Sequence, residues 1–329
     1  MNVRAVMITK PGDVDVLEVA DRPTRKPGNG EVRIAVKAAA VNPADILLRK
    51  QGAGSDLPPP WTPGMDAAGE VESVGSGVDR LRVGEQVMAA VSPFRSEGGA
   101  QQELLVVPTA SVVAIPDGAS LTEASTLPMN GLTAMVGLEI LGLHEGDTLA
   151  VAGGVGLLGS YVIGIASARG IRVIADAKPD DEVLVKSFGA DVVVPRSATF
   201  GDAIRLVAPE GADAVFDTAL LYRDAFPAIR DGGGLLVVRG RAAENTVPPL
   251  HEVEERGIRI YAPRVSQALQ RTDFLEALRG LSSGRRLTLR VAHEFPPEEV
   301  AEAHRLMEAG GLRGRAVIVM DNSNERRAA

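Results

Sequence analysis

Cysteine is absent from this chain of 329 residues, so disulfides, thiolate catalysis and cysteine-ligated metal ions are excluded. Aromatic residues are scarce at 3%, and Trp61 is the only tryptophan. The four histidines, at positions 144, 251, 293 and 304, are not paired at a metal-binding spacing. We therefore expect the histidines to be structural or surface residues.

A long basic run is also missing, and the formal net charge is −8 with a sequence pI of about 5.2. These features argue against nucleic acid or an anionic membrane as the main partner. The chain does not open with a charged segment followed by an apolar one, so no signal peptide is predicted. Residues 149–168 are uncharged, but their glycines suit a buried strand, turn and helix better than a membrane span. We expect a soluble, cytoplasmic protein.

The most informative segment that is present carries a glycine-rich turn. Residues 148–152 form a short apolar run typical of a buried parallel strand, and residues 154–159 then match G-x-G-x-x-G. Small and apolar residues predict a helix over 160–169, followed by a second strand over 171–175. Asp176 follows that strand, at the spacing where an acidic residue holds a ribose hydroxyl. This order predicts a dinucleotide-binding unit; a turn without a ligand is the alternative.

Each glycine of the motif has its own expected role. Gly154 permits the tight turn, Gly156 lets the backbone approach a pyrophosphate, and Gly159 lets the helix pack close to the strand. Leu157 and Leu158 belong to the motif just before the predicted helix, and the helix N-terminus offers N–H groups and partial positive charge to phosphates. We therefore predict that all five residues contact the cofactor.

The remaining sequence predicts two domains. Residues 1–122 contain short valine- and isoleucine-rich runs separated by Gly and Pro, which indicates a β-rich fold. Residues 123–262 alternate strand and helix, as in a doubly wound parallel sheet. Residues 263–329 contain a helical stretch at 298–308 and a final strand at 315–320, which we expect to rejoin the first domain. The polar residues 322–329 are predicted to be frayed.

Several further motifs, in this order, resemble the medium-chain dehydrogenase/reductase superfamily, and within it the zinc-independent quinone oxidoreductase group. They lie at residues 40–45, 63–69, 83–87, 98–100, 127–134, 303–308 and 313–315. The resemblance implies a GroES-like catalytic domain built from residues 1–122 and 263–329, a Rossmann domain at 123–262, and a cofactor in the cleft. It also implies reduction of quinones, enones or enoyl thioesters with NADPH, and a homodimer.

The sequence departs from the zinc alcohol dehydrogenases of this superfamily at the metal positions. Asn42 replaces a cysteine ligand and Met65 a histidine ligand, and neither side chain suits catalytic zinc. Ala44 occupies the position of the hydroxyl proton relay. We therefore expect no metal and no alcohol oxidation by the zinc mechanism.

Three candidate residues take their roles from the resemblance, each beside a structural alternative. Asn42 corresponds to a position near the nicotinamide ribose, or it forms a turn before a proline. Thr133 corresponds to a threonine that faces the nicotinamide, or it faces the core. Asn130 lies beside it and lines the substrate pocket, or it caps the helix.

Asp45 and Trp61 are candidates for contact with the substrate. Asp45 is a candidate proton donor if apolar neighbours raise its pKa, and the alternative is a surface or ion-paired carboxylate. Trp61 lies on a proline-rich loop and either stacks on a flat substrate or packs hydrophobically.

The choice between NADPH and NADH is left open by conflicting signals. The resemblance implies NADPH, whereas the Asp176 carboxylate would repel a 2′-phosphate and favour NADH. Lys178 offsets this if it pairs with the phosphate. Arg315 is a candidate for another phosphate contact, although a solvated cation near a helix end is the default interpretation.

These observations predict a reductase that transfers hydride from NAD(P)H to a quinone or an activated C=C bond, with the proton from water or the ribose hydroxyl. One alternative is an enoyl reductase of polyketide or secondary metabolism. Another is a nucleotide-binding sensor or structural protein without turnover. No residue stands out as the catalytic acid, and Asn42, Asp45 and Thr133 are the candidates.

Overall fold

A computed structural model describes residues 1–197, 199–238 and 250–320. The chain divides into two compact units. The first comprises Met1–Met129, Ser266–Ser283 and the residues from Leu289 onward; the second comprises Asn130–Val265 and Gly284–Thr288. The predicted domain boundaries after residues 122 and 262 stay predictions.

The described residues form strands and helices along both units. The strands are β1 (Asn2–Ile8), β2 (Leu17–Pro23), β3 (Glu31–Ala40), β4 (Asp66–Val74), β5 (Gln86–Ala90), β6 (Leu104–Pro108), β7 (Val112–Ala114), β8 (Thr148–Ala152), β9 (Arg172–Ala177), β10 (Val192–Pro195), β11 (Ala212–Asp217), β12 (Ile229–Val237), β13 (Arg259–Tyr261), β14 (Val291–Phe295) and β15 (Arg315–Val319). The helices are α1 (Pro43–Gln51), α2 (Leu121–Ala124), α3 (Pro128–Leu141), α4 (Leu157–Ala168), α5 (Glu182–Ser187), α6 (Phe200–Val207), α7 (Leu250–Glu255), α8 (Thr272–Ser283) and α9 (Val300–Ala309).

The second unit is built on a parallel sheet with the strand order β10-β9-β8-β11-β12-β13. Its central strands are apolar on both faces: Leu149, Ala150 and Val151 of β8 are all fully buried. The strand order reverses beside β8, which is the arrangement of a doubly wound Rossmann sheet. The predicted fold class of this half is confirmed.

The first unit contains a mainly antiparallel seven-stranded sheet, with the order β14-β15-β3-β4-β5-β7 and with β6 also paired to β3. β15 pairs antiparallel with β3, bringing Val317 opposite Ala40. This pairing confirms the prediction that the last strand rejoins the N-terminal part of the chain. The buried core includes Ile34 and Val36 of β3 and Ile318 of β15.

Some element boundaries differ from those predicted. The sequence predicts a strand over 101–107, but β6 begins only at Leu104. Residues 101–103 instead hydrogen-bond to β1, through an isolated bridge between Ala5 and Gln102 and through the Val6 and Glu103 N–H groups, which donate to the Gln101 and Arg4 carbonyls. The sequence also predicts a strand at 234–239. The structure begins this strand earlier, at Ile229, and residue 239 lies outside the described residues. The frayed tail predicted at 322–329 lies outside them too.

Within the described ranges, none of the helices has the length and hydropathy to cross a membrane. The uncharged run 149–168 resolves into most of β8, the glycine turn and α4.

Candidate functional site

The glycine turn between β8 and α4 forms the core of the candidate cofactor site. Gly153 adopts a left-handed φ of +85°, and a Cβ there would lie 2.4 Å from the Thr218 Oγ1 atom. Gly154 lies within the tight turn that the sequence analysis assigned to it, but the residue with the left-handed conformation that glycine favours is Gly153. Gly154 is instead confined sterically, because its Cβ would lie 3.0 Å from the Ala175 Cβ.

The other two glycines of the motif differ in their surroundings. A Cβ on Gly159 would lie only 2.2 Å from the Gly153 carbonyl oxygen, so α4 packs directly against the turn. A Cβ on Gly156 would meet that same oxygen at 3.3 Å and no other atom within 4 Å. Gly156 is partly exposed at the N-cap of α4, with a φ of −62° that any residue adopts. The open space above Gly156 is therefore available to a ligand.

Helix α4 begins at Leu157, three residues earlier than predicted. Leu157 is buried and Leu158 is partly exposed. The first N–H groups of a helix have no partner within it, and they favour an anionic ligand. The residues at this turn therefore fit the pyrophosphate of a dinucleotide.

Asp176 holds the glycine turn from the end of β9. Its carboxylate accepts hydrogen bonds from Gly153 N at 2.6 Å and from Gly154 N at 3.3 Å. The Arg196 Nε atom donates to the same carboxylate at 2.7 Å. The pKa of Arg196 is raised, above all by this hydrogen bond, although burial opposes the shift. Asp176 is thus largely occupied by protein partners, and its contact with a ribose stays a prediction.

Arg196 is a residue that the sequence analysis missed. It directly follows β10, and Val194 of β10 lies opposite Asp176 of β9. Because carboxyl ends of adjacent parallel strands meet at one edge of a sheet, its position after a strand was a usable signal. Lys178, the cation that was predicted instead, has an exposed side chain.

In the first unit, Asn42 and Asp45 form a capping box at the start of α1. Asp45 is fully buried and accepts hydrogen bonds from Asn42 N at 2.8 Å and Gly64 N at 2.7 Å. Burial raises its pKa to about 6, while these two hydrogen bonds act in the opposite direction. Asp45 is therefore not a surface carboxylate, and its predicted role as a proton donor or as an ion-paired carboxylate stays a prediction.

Asp66, which the sequence analysis did not single out, joins this network. It is fully buried and accepts hydrogen bonds from the Asn42 Nδ2 atom and from Met129 N, both at 2.6 Å. Burial raises its pKa to about 7, and the charge of Arg315 lowers the pKa of both Asp66 and Asp45. Arg315 thus acts on the carboxylates of its own unit, and its predicted contact with a cofactor phosphate stays a prediction.

The residues at the superfamily's zinc positions do not suit a metal ion. The Asn42 amide donates to Asp66, and Met65 offers only a weak thioether ligand at 6% exposure. Across the part of the chain that the structure describes, no group of three or more His, Asp or Glu side chains is arranged to hold a metal.

Trp61 lies in a small hydrophobic cluster rather than on an open face. It is 5% exposed, packs with Ile8, Val16 and Leu48, and donates from Nε1 to the Leu57 carbonyl at 2.7 Å. These contacts favour the hydrophobic-packing alternative, and stacking on a substrate stays a prediction.

Asn130 and Thr133 both belong to α3. The helix begins at Pro128, so Asn130 lies inside the first turn, and the prediction that it caps the helix is wrong. Asn130 is 5% exposed and Thr133 is partly exposed. Their predicted roles in the substrate pocket and at the nicotinamide stay predictions.

Comparison with known protein families supports both halves of this fold. Residues 28–117 match the family described as "Alcohol dehydrogenase GroES-like domain". Residues 188–318 match the family described as "Zinc-binding dehydrogenase". The second description does not imply that this chain binds zinc, because Asn42 and Met65 at the ligand positions do not suit the ion.

Among curated relatives, a 2-methylene-furan-3-one reductase from Solanum lycopersicum is 30% identical over 96% of this chain and 79% of its own. Other relatives are longer: the match to the synaptic vesicle membrane protein VAT-1 homolog of Rattus norvegicus, 32% identical, covers 65% of this chain and 53% of that protein. This chain thus spans about half of that relative's length.

Two solved structures resemble the chain over nearly its whole length. An NAD-dependent alcohol dehydrogenase is 30% identical, with a TM-score of 0.85 over 96% of this chain and 99% of the other. A mycobacterial protein solved in complex with NADPH is 27% identical, with a TM-score of 0.80 over 96% and 99% of the two chains.

Proposed function

Because this chain belongs to the medium-chain dehydrogenase/reductase superfamily and is an oxidoreductase, we propose that it transfers hydride from NADPH to a quinone or to the activated C=C bond of an enone. The observation that carries this proposal is the glycine turn, where the open face of Gly156 and the start of α4 fit a pyrophosphate. The enone reductase among the relatives supports an electron-poor double bond as the substrate class.

NADPH, when bound, supplies the hydride. The contribution of the chain is to hold and orient it: the first N–H groups of α4 receive the pyrophosphate, and Asp176 fixes the turn by accepting from Gly153 and Gly154. Conjugate reduction also needs a hydrogen bond to the remote oxygen and a proton. Asp45 and Asp66 are fully buried and hydrogen-bonded, so we propose that water or the ribose hydroxyl delivers the proton.

The lack of suitable zinc ligands separates this reaction from alcohol oxidation. A zinc dehydrogenase uses the metal to stabilise an alkoxide, and Asn42 and Met65 offer no equivalent. Reduction of a conjugated carbonyl needs no such ionisation. We therefore propose a zinc-independent reductase.

A substrate panel tests this proposal. We expect NADPH oxidation with quinones and small enones, and no appreciable NADP⁺ reduction with saturated primary alcohols, measured by absorbance of the reduced nicotinamide. A trans-enoyl thioester belongs in the panel because a relative from Aspergillus flavipes is a trans-enoyl reductase. Robust alcohol oxidation without quinone or enone reduction contradicts the proposal, and tight cofactor binding without any turnover supports a sensor instead.

Cofactor choice gives a second prediction, based on the pair of Arg196 and Asp176. The guanidinium neutralises the carboxylate that would repel a 2′-phosphate and adds a donor for that phosphate. In fluorescence titrations, we expect Arg196→Gln to weaken the binding of NADPH about tenfold, or ~1.4 kcal/mol. The binding of NADH should weaken less than about twofold.

Lys186→Gln is the control for this experiment, because Lys186 is an exposed cation paired with Glu182 one turn earlier on α5. It should bind both cofactors like the wild type. If Lys178→Gln shows the selective loss and Arg196→Gln does not, the phosphate contact belongs to Lys178. Equal weakening of NADPH and NADH in Arg196→Gln refutes the assignment.

We also propose a homodimer. Among the described residues, β13 is an edge strand of the parallel sheet of the second unit, and Ile260 at its centre is 39% exposed. An exposed strand edge with an apolar side chain favours pairing with a second copy.

A further inference from the structure

Three arginines converge on a cavity at the amino edge of the parallel sheet in the second unit. The cavity has a volume of about 390 Å³, and its lining residues are Arg205, Glu210, Arg230, Asp231 and Arg256. Arg230 and Asp231 lie at the start of β12, which begins at Ile229. The glycine turn instead follows the carboxyl end of β8, and β8, β11 and β12 run parallel. The cavity therefore lies at the opposite edge of the sheet from the candidate cofactor site.

Arg205, in the last turn of α6, is held by neutral oxygens. Its Nε atom donates to the Pro227 carbonyl at 2.9 Å, and its Nη1 atom donates to the Pro209 carbonyl at 2.9 Å. Its Nη2 atom donates to the Ile229 carbonyl at 2.8 Å. In the described part of the chain, none of its hydrogen-bond partners is a carboxylate. The three carbonyls thus fix the orientation of the guanidinium without neutralising its charge.

Arg256 brings a second guanidinium to the same carbonyl. It directly follows α7, and its Nη2 atom donates to the Ile229 carbonyl, which also accepts from Arg205. Its Nε atom donates to the Asp231 carboxylate at 2.8 Å. The Asp231 side chain is 80% exposed, so water screens this pair and it contributes little. Two positive charges therefore meet at one neutral oxygen, and an exposed carboxylate pairs with only one of them.

Arg230 adds a third guanidinium to the lining. Its Nε atom donates to the Asp213 carboxylate at 2.6 Å, and its Nη1 atom donates to the Asp231 carbonyl at 3.0 Å. An arginine side chain has about five N–H donors, and these two bonds engage only part of that set. The lining carries the positive charges of Arg205, Arg230 and Arg256 against the negative charges of Glu210 and Asp231. Its excess charge is positive.

We propose that this cavity binds a phosphate dianion, either as the free ion or as the phosphomonoester of a small molecule. Guanidinium groups match phosphate oxygens with paired, charge-assisted hydrogen bonds, and here the backbone carbonyls hold them in place beforehand. The cavity volume falls within the range of about 300–1,000 Å³ that is usual for small-molecule sites. The competing explanation is that the arginines only tie down loop carbonyls, which predicts no response to phosphate.

Thermal unfolding measures the binding, because a ligand that binds only the folded protein raises its free energy of unfolding by RT ln(1 + [L]/Kd). Inorganic phosphate and glycerol 3-phosphate are compared with sodium chloride at equal ionic strength. An excess of NADPH is present throughout, so that the glycine turn is filled. We expect both phosphates to raise the Tm of the wild type above its value in chloride. A larger rise with glycerol 3-phosphate assigns the cavity to a phosphomonoester, and a larger rise with inorganic phosphate assigns it to the free ion.

Variants of the lining should change the phosphate Kd in opposite directions. We expect Arg256→Gln and Arg230→Gln each to raise it at least about tenfold, because each removes charge-assisted hydrogen bonds. Glu210→Gln should lower it about threefold, because an exposed carboxylate that repels the anion is removed. Arg305→Gln is the control, since Arg305 is an exposed arginine paired with Glu302 on α9 of the first unit. Its phosphate Kd should match that of the wild type.

Opposite shifts of the phosphate Kd in the arginine variants and in Glu210→Gln, with NADPH affinity unchanged, support the inference. A wild type whose Tm does not respond to either phosphate overturns it, and so does a response that persists in both arginine variants. If the arginine variants do not fold, Glu210→Gln decides: a lowered phosphate Kd supports the inference, and an unchanged one overturns it.

Discussion

Valine in place of Gly156 is expected to abolish NADPH binding while the protein remains folded. A Cβ at this position would meet only the Gly153 carbonyl oxygen, at 3.3 Å, and the φ of −62° suits any residue. The branched side chain would therefore be tolerated by the fold but would occupy the space in which we place the pyrophosphate. We expect Kd to rise at least about a hundredfold, or ~2.7 kcal/mol.

Gly159→Val should destabilise the fold, in contrast to Gly156→Val. Its Cβ would lie 2.2 Å from the Gly153 carbonyl, so the turn or α4 would have to move, and we expect a lower Tm. Gly280→Val is the control, because a Cβ on that glycine of α8 meets no atom within 4 Å. Fluorescence titration and thermal unfolding of the three variants separate loss of binding from loss of fold. Wild-type NADPH affinity in Gly156→Val would refute the assigned site.

The part of the site that could be predicted from sequence is the part that is local in the chain. Strand β8, the glycine turn and α4 are contiguous, and the residue types at the turn follow from backbone geometry alone. Asp176 was found because its distance from the motif is set by one helix and one strand. Even here, the motif does not specify which glycine adopts the left-handed conformation. The structure shows that it is Gly153 rather than Gly154.

The parts that were missed depend on contacts between distant segments. Arg196 reaches Asp176 because β10 pairs with β9. Asp66 reaches Asn42 because β3, which ends shortly before Asn42, pairs antiparallel with β4, which begins at Asp66. Whether a carboxylate is solvated or buried is decided by such packing and not by its neighbours in sequence. For this reason the sequence left Asp45 open between a proton donor with a raised pKa and a surface or ion-paired carboxylate, and the structure shows that it is fully buried.

The burial of Asp66 has a measurable consequence for stability. Its pKa is raised by burial from 3.8 to about 7 in the folded protein. Its contribution to stability is therefore fully present below pH 3.8, and it is lost progressively as the pH rises towards 7. A pKa that is about three higher in the folded than in the unfolded chain corresponds to ~4 kcal/mol of unfolding free energy. The asparagine side chain in Asp66→Asn does not titrate, so the variant should not show this loss of stability as the pH rises.

We therefore expect the order of stability to reverse with pH. At pH 4 the variant should be less stable than the wild type by ~1–2 kcal/mol, because its amide cannot accept from both Met129 N and the Asn42 amide. At pH 8 it should be the more stable protein. Urea unfolding at a series of pH values measures the difference, and comparison at each pH cancels the titration of His304, whose pKa burial lowers to about 4.

The exposed Asp21 of β2 provides the control, since the same substitution there changes no buried charge. Urea unfolding of Asp21→Asn over the same pH series gives the reference for loss of an exposed carboxylate. A constant difference for Asp66→Asn would show that its carboxyl group titrates alike in the folded and unfolded chain. Asp66 would then accept from Asn42 and Met129 as an ionised carboxylate above its ordinary pKa, and the reversal of stability with pH would not occur.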